Sequence, residues 1–185
     1  MKPQIITIDF DGTVVTHSFP EIGKDIGADI VLEMLVNNGH SLILSTMRCD
    51  DPEGKFEQNF TNGYKIHSGM FLEQAVEWFK KKNIPLWGIQ ENLTQHTWTD
   101  SIKPYSHLQI DDTGLGIPLL KIETISDRYF VNWADVSFML YCKGYLTYKQ
   151  YKHSIEELTM FFVSQYGYIL SREDNLNIQH ELKAI

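Results

Sequence analysis

Four short apolar runs along the chain have the pattern of buried β-strands. The first, Gln4–Asp9, is rich in isoleucine, as expected of a parallel strand that is covered on both faces. Ser41–Ser45 repeats this pattern, and Pro85–Ile89 and His107–Ile110 are two shorter candidates. The sequence therefore predicts four strands spread over the first 110 residues.

The segments between the strands have helical spacing. Apolar residues recur at that spacing between Ile26 and Leu35, and Asn38-Gly39 supplies a stop, which predicts a helix over about 23 to 37. Residues 68–82 repeat the helical pattern. Alternation of strands and helices is typical of a parallel sheet with crossover helices. The predicted fold class is therefore α/β, a Rossmann-like three-layer sandwich.

Only helices are predicted after about residue 125. Val136, Met139 and Leu140 share one helical face, and a second helix follows with apolar positions at Tyr151 and Ile155. We therefore expect an α/β domain over residues 1–125 and a C-terminal helical extension over 126–185. Since no Pro-rich linker or charge run separates them, the extension is expected to pack on the core.

Composition and charge exclude several classes of protein. The chain is 43% hydrophobic and 22% charged, as in folded globular proteins. Its net charge of -8 argues against general nucleic-acid binding, which needs clustered lysine and arginine. No run approaches the roughly 20 apolar residues of a membrane span, and the first run is too short for a signal peptide. Cys49 and Cys142 match no metal-ligand spacing, which favours reduced thiols and a cytoplasmic location.

The clearest chemical signal is Asp9-Phe-Asp-Gly-Thr13, which follows the first strand directly. Open parallel sheets bind their ligands at this end of a strand. For a phosphate ester, Asp9 can attack phosphorus while Asp11 exchanges a proton with the leaving oxygen. The backbone N–H groups of Gly12 and Thr13 are expected to bind phosphoryl oxygens. The alternative is an acidic turn in which Asp11-Gly12 only reverses the chain.

Two other strand ends carry matching side chains. Ser45-Thr46-Met-Arg48 brings a hydroxyl and a guanidinium to the same edge, where Thr46 and Arg48 can bind phosphoryl oxygens. Asp111 and Asp112 follow the last strand and would repel the Asp9 pair unless a cation were bound. An oxygen-only set of this kind suits Mg²⁺. These residues predict a magnesium-dependent phosphoryl site.

Further candidates lie in the loops. Lys103, shortly before the last strand, is expected to neutralise the nucleophile and the phosphoryl group. The polar loop from Met47 to Ser68 is either a small lid or a solvated excursion. Four loop residues near strand ends are candidates for contact with a leaving group: His17, Gln90, Asn92 and Trp98.

Taken in order, Asp9-Phe-Asp-Gly-Thr13, Thr46, Lys103 and Asp111-Asp112 resemble the four motifs of phosphatases of the haloacid dehalogenase (HAD) superfamily. The resemblance spans about residues 5 to 114. Together with Pro20-Glu-Ile-Gly23, these motifs look like those of small capless bacterial and phage hydrolases of that superfamily. Neither usual insertion point leaves room for a large cap domain.

The resemblance implies specific roles. Asp9 would be the nucleophile and Asp11 the general acid/base, while Mg²⁺ would be held by the Asp9 carboxylate, the Asp11 backbone carbonyl and Asp111. Asp112 would ligate through water or take the place of Asp111. Asp11 also argues against dehalogenation, because the superfamily's dehalogenases lack this second aspartate.

The sequence leaves three functions open. The leading one is hydrolysis of a small phosphomonoester through an aspartyl-phosphate intermediate. A phosphotransferase would use the same residues, and a non-enzymatic module that binds phosphate and Mg²⁺ is the third. The aromatic-rich C-terminal helices are equally compatible with core packing and with a surface for homo-oligomer formation.

Overall fold

The computed structural model describes residues 2–55 and 68–170. In chain order its elements are β1 (Ile5–Ile8), α1 (Ala28–Asn37), β2 (Ser41–Leu44), β3 (Asp50–Asp51), β4 (Gly69–Met70), α2 (Phe71–Lys81), β5 (Gly88–Ile89), a 3₁₀ turn (Gln95–Thr97), β6 (Leu108–Ile110), β7 (Leu119–Leu120), β8 (Phe130–Val131), α3 (Trp133–Cys142) and α4 (Tyr148–Tyr166).

The central sheet has four parallel strands in the order β5-β2-β1-β6. Ile8 of β1 is paired with Leu44 of β2 and with Ile110 of β6, so the three strands end at the same level. The sheet is flanked by helices, which confirms the predicted Rossmann-like three-layer α/β fold. The polar residues that follow β1, β2 and β6 therefore begin at one edge of the sheet.

Residues of the sheet and of the helices together form the apolar core. Ile6, Ile8, Leu42 and Leu44 are fully buried, as the apolar strand runs predict. On the helices α1, α3 and α4, which pack together, Leu32, Val136 and Leu158 belong to the same buried cluster. From α2, Trp78 and Phe79 contact the ring of Phe10. One continuous core thus supports the loop that follows β1.

The first helix begins later than predicted. It starts at Ala28 rather than near residue 23, because the chain before it is paired with the segment after β1. The N–H of Thr16 donates to the Lys24 carbonyl at 2.9 Å, and the Lys24 N–H donates to Thr16 Oγ1 at 2.9 Å. Any side chain at Gly23 would meet the Thr16 carbonyl oxygen. Residues 15 to 25 therefore form a folded-back loop over the edge of the sheet.

The C-terminal helices share the core of the sheet. β7 and β8 form an antiparallel pair, so paired strands lie on either side of the predicted boundary at residue 125. The helix α4 begins with a capping box between Thr147 and Gln150. The division into two domains stays a prediction, and residues 171–185 of the predicted extension lie outside the described residues. No helix in the described ranges is long and apolar enough to cross a membrane.

Candidate active site

Three carboxylates lie together at the carboxyl edge of the sheet. Asp9 follows β1, and Asp111 and Asp112 follow β6, whose last residue accepts a hydrogen bond of 3.0 Å from the Asp9 N–H. Each of the three offers an oxygen within 4.8 Å of the others, and all three are half-buried. The parallel pairing of β1 and β6 thus brings together residues that are about 100 positions apart in sequence.

The environment of Asp9 raises its pKa from 3.8 to about 7. Burial is the largest cause, because it penalises the charged form. A hydrogen bond from the Phe10 backbone acts in the opposite direction, and the nearby charges of Asp111, Asp112 and Asp11 add to the rise. A cation bound among these carboxylates would offset the repulsion that adds to this rise in pKa. The donor set, three carboxylates and no nitrogen or sulfur, fits Mg²⁺.

Thr13 connects two of the three carboxylate positions. Its hydroxyl donates to Asp9 Oδ2 at 3.3 Å and accepts a hydrogen bond from the Asp112 N–H at 2.9 Å. The residue is fully buried. Its side chain therefore orients Asp9 against the loop after β6, and the hydroxyl does not reach a ligand in solvent.

The backbone N–H groups of Gly12 and Thr13 are not placed as expected. The Gly12 N–H donates to the Val15 carbonyl at 2.8 Å, and the Thr13 N–H donates to the Phe10 carbonyl at 3.3 Å. Both donors are used by the tight turn after Asp11, so the predicted binding of phosphoryl oxygens by these two groups is not available in this conformation. Gly12 has a φ of 83°, and a Cβ there would meet His17 Nε2 at 2.3 Å. The positive φ favours glycine at this position.

Asp111 and Asp112 differ in their partners. Asp111 Oδ1 accepts hydrogen bonds from the N–H and the hydroxyl of Thr113, at 2.8 Å and 2.6 Å. Asp112 Oδ2 lies 2.9 Å from His17 Nε2. Both keep oxygens within the acidic triad, so the sequence-based question of which one ligates directly stays open.

Asp11 is turned away from the triad by Arg48. Arg48 Nε donates to Asp11 Oδ2 at 2.6 Å, and Nη2 donates to Oδ1 at 2.7 Å. The Asp11 carboxylate is accordingly absent from the cluster formed by Asp9, Asp111 and Asp112. The cluster is defined by side-chain oxygens. The expected contact between a metal ion and the Asp11 backbone carbonyl therefore stays a prediction.

Arg48 does not occupy the ligand-binding position that the sequence suggested. Its side chain is only 1% exposed, and it also donates to the backbone carbonyls of Pro20 and Glu21. The sequence correctly brings Arg48 to the edge where β2 ends, but its donors are directed to protein groups instead of phosphoryl oxygens. The reason is that the folded-back loop after β1 places two carbonyl acceptors within hydrogen-bond distance of the guanidinium.

Thr46 lies at the end of β2 and is held by Gln90. The Thr46 N–H donates to Gln90 Oε1 at 3.2 Å, and the Gln90 amide donates to the Thr46 carbonyl. The Thr46 hydroxyl accepts a hydrogen bond from the Arg48 N–H at 3.3 Å, which leaves its own proton for another acceptor. Gln90 thus positions the strand end, and its role as a contact of the leaving group stays a prediction.

Lys103 is not brought to the triad. It lines a cavity of about 470 Å³ together with Trp98, Tyr105 and His107, and none of the triad carboxylates lines that cavity. Lys103 is also missing from the charges that shift the pKa of Asp9. The segment 103–107 leads into the start of β6, whereas the triad follows the end of that strand. The expected neutralisation of Asp9 by Lys103 therefore has no support in this geometry.

The loop after β2 is described only in part. Asp50 Oδ1 accepts hydrogen bonds from the N–H groups of Leu72 and Glu73, at the start of α2. Asp51 accepts from the Lys55 N–H at 3.1 Å. The beginning of the loop is therefore fastened to the fold. Residues 56–67 of this loop lie outside the described residues, so the alternatives of a lid and a solvated excursion both stay predictions.

The sequence pattern gives little signal for two residues that contact the site. His17 was one of several loop candidates, and its contact with Asp112 depends on a turn that the sequence only signals through Gly12. Trp133 falls within the predicted C-terminal extension, which is expected to pack on the core, and its indole N–H donates to the Thr13 carbonyl at 2.8 Å. A buried tryptophan needs a partner for its N–H, but the sequence does not say which one.

Comparison with known proteins yields a likeness of fold. No protein-family model and no curated protein matches this sequence. Among solved structures, the chain is similar to a conserved protein coded by a locus from Bacteroides thetaiotaomicron, with 24% identity and a TM-score of 0.53. The match covers 80% of this chain and 97% of that chain. At this level of identity, the likeness extends to the fold alone.

Proposed function

We propose that this chain is a magnesium-dependent phosphohydrolase that cleaves phosphomonoesters through an aspartyl phosphate at Asp9. The observation that carries the proposal is the acidic triad, in which Asp9 follows the central strand and two further carboxylates lie within 4.8 Å. The resemblance of the strand-end motifs to HAD phosphatases supports the same chemistry. Two exposed free cysteines suit a reducing compartment, so we place the reaction in the cytoplasm.

Asp9 is the nucleophile in this proposal. It follows the central strand β1 directly, and Thr13 holds its Oδ2 atom, so the carboxylate cannot rotate freely. When bound, Mg²⁺ would supply positive charge against the repulsion between these carboxylates and a phosphate group. A fixed carboxylate that faces the phosphorus atom lowers the entropic cost of attack.

Asp11 transfers the protons in this proposal. In the first step an oxygen of Asp9 bonds to phosphorus, the bond to the leaving oxygen breaks, and the Asp11 carboxyl group, which enters this step protonated, gives that oxygen its proton. In the second step water bonds to phosphorus, gives its proton to Asp11, and the bond between phosphorus and Asp9 breaks. The two steps regenerate both carboxyl groups and release inorganic phosphate. Asp11 suits this role because its carboxylate lies beside the triad and is not part of it.

The test is a screen of phosphorylated metabolites and para-nitrophenyl phosphate with Mg²⁺. We expect release of inorganic phosphate that requires Mg²⁺ and falls when Ca²⁺ replaces it, because Ca²⁺ takes more ligands at longer distances. Asp9→Asn, purified in the same way, controls for contaminating phosphatases. Full turnover in excess chelator would reject the metal site. Transfer of phosphate to an added alcohol without free phosphate would identify a phosphotransferase.

A further inference from the structure

We propose that Arg48 is the positioning residue for proton transfer, because it holds the Asp11 carboxylate in the orientation from which that group acts. The inference deepens the proposed function and rests on it. The observations that support it are the hydrogen bonds of the buried Arg48 guanidinium.

Arg48 donates two parallel hydrogen bonds to the Asp11 carboxylate. Nε donates to Oδ2 at 2.6 Å and Nη2 to Oδ1 at 2.7 Å, which is the bidentate geometry of a strong charge-assisted pair. Two bonds to one planar group fix the rotation of the carboxylate about its terminal torsion. Each carboxylate oxygen has a second lone pair, so Asp11 can take up a proton from water while both bonds to Arg48 remain, and it can give that proton to the leaving oxygen in the next turnover.

The guanidinium itself is fixed by its surroundings. Its remaining contacts are with the Pro20 carbonyl at 3.2 Å and the Glu21 carbonyl at 2.7 Å. Its central carbon lies 5.2 Å and 5.3 Å from the ring centres of Phe10 and Phe19. An arginine buried to this degree moves only at the cost of losing several of these contacts at once. Asp11 is therefore attached to a rigid support.

This support separates the two aspartates of the loop after β1. The Asp9 carboxylate belongs to the triad, whereas the Asp11 carboxylate is paired with the Arg48 guanidinium and lies outside the triad. Without Arg48, the Asp11 carboxylate would be free to turn, including towards a bound metal ion. We infer that Arg48 prevents this and keeps Asp11 available for proton transfer.

The experiment is a double-mutant cycle with Arg48→Lys and Asp11→Asn. Single-turnover rate constants are measured for each variant with an alkyl phosphate and with an aryl phosphate. Lysine keeps the charge but cannot donate in two parallel bonds. The ratio of the two rate constants within one preparation does not depend on how much of the protein is folded. Arg48→Gln serves as the second variant, and Arg128→Lys is the matched control, because it makes the same change at an exposed arginine.

We expect Arg48→Lys to slow phosphoryl transfer from the alkyl ester by about ten- to a hundredfold, within the range that general acid catalysis supplies. The rate of phosphoryl transfer from the aryl ester should stay unchanged. In the Asp11→Asn background the same substitution should cost less than about threefold, because the group it positions is gone. Arg128→Lys should leave the ratio of alkyl to aryl rates unchanged.

Equal losses on both esters, or the same loss in both backgrounds, would overturn the role of Arg48 while leaving the phosphohydrolase intact. Failure of the proposed function looks different. In that case the wild-type protein would release no phosphate from any ester with Mg²⁺, before any Arg48 variant is assayed.

Discussion

The indole N–H of Trp133 donates a hydrogen bond of 2.8 Å to the backbone carbonyl oxygen of Thr13. Trp133 is the first residue of α3, and both residues are buried. Just before it, the Val131 N–H donates to the Gly12 carbonyl at 2.8 Å. The chain that leads into the C-terminal helices therefore fixes the turn that carries Asp9 and Asp11.

Trp133→Phe is expected to lower both stability and turnover. Phenylalanine keeps most of the aromatic surface but leaves the buried Thr13 carbonyl without this donor, which costs about 1–3 kcal/mol of unfolding free energy. Denaturant unfolding and steady-state kinetics measure the two effects. Phe138→Leu, on the same helix but without a contact to the turn, is the control and should keep kcat. Unchanged kcat in Trp133→Phe would show that α3 does not position the site.

Asp9→Asn is expected to abolish turnover while the protein stays folded. The amide is a poor nucleophile and a weak metal ligand of nearly the same size. Because it removes one of three mutually repelling carboxylates, it should not destabilise the metal-free protein near neutral pH. Phosphate release and circular dichroism check the two statements. Wild-type turnover by this variant, with contamination excluded, would refute the assignment of the nucleophile.

Stability of the metal-free protein should fall as pH rises from about 4 to about 7. In this window the folded protein keeps the proton on Asp9, whose pKa is about 7, whereas the unfolded chain has lost it near 3.8. The folded state thus binds more protons than the unfolded state, so raising the pH favours unfolding. On the proposed function Mg²⁺ would replace this proton, so added Mg²⁺ is expected to raise Tm more at high pH than at low pH. Thermal unfolding across pH, compared with Asp9→Asn, measures this, and an equal slope in that variant would contradict it.

Asp11→Asn should slow the hydrolysis of an alkyl phosphate much more than the formation of the intermediate from para-nitrophenyl phosphate. An alkoxide needs a proton to leave and should lose most of the roughly 10²–10⁴-fold that general acid catalysis supplies, whereas nitrophenolate leaves as the anion. The aryl ester should then show a burst of nitrophenol followed by slow turnover. Stopped-flow absorbance measures the burst. Equal losses on both esters in single turnover would show that Asp11 is not the acid.

Lys103→Ala is expected to leave kcat and KM within about threefold of wild type, as for a surface substitution away from the chemistry. The structure gives Lys103 a place in a cavity that no triad carboxylate lines. The sequence-based prediction is the opposite, a large loss of kcat. Steady-state kinetics with Lys121→Ala as the surface control separates them. A loss of a hundredfold or so in kcat would mean that Lys103 reaches the phosphoryl group during the reaction.

Local pattern was sufficient for the sheet and for the position of the triad. Apolar runs of four or five residues predict strands because both faces of a parallel sheet are buried. Residues that follow such strands share one edge, so the sequence groups Asp9 and Asp11 with Asp111 and Asp112, and the structure keeps all but the Asp11 carboxylate in the cluster. The shared edge follows from the direction of each strand, whereas the contact within 4.8 Å also requires β6 to lie next to β1, which the folded sheet decides.

The partners of the remaining side chains were decided by the tertiary structure. Arg48 was correctly placed at the edge, yet its guanidinium turns to Asp11 and to the carbonyls of a loop about 28 residues earlier. The Trp133 indole reaches a carbonyl 120 positions away. Such pairs depend on how loops fold back and on which buried donor meets which acceptor, and neither is encoded in local spacing.

Lys103 illustrates the same limit from the other direction. The chain must return from the end of β5 to the start of β6 before it can run parallel again, so a residue shortly before β6 approaches the opposite end of that strand from the triad. Motif order along the sequence does not contain this reversal. The sequence by itself thus determined the fold class and the acidic edge, because both follow from local periodicity and strand direction. The hydrogen-bond partners that hold Asp9, Asp11 and Thr13 were decided only by the packed structure, because burial forces each polar group to find a partner wherever the chain brings one.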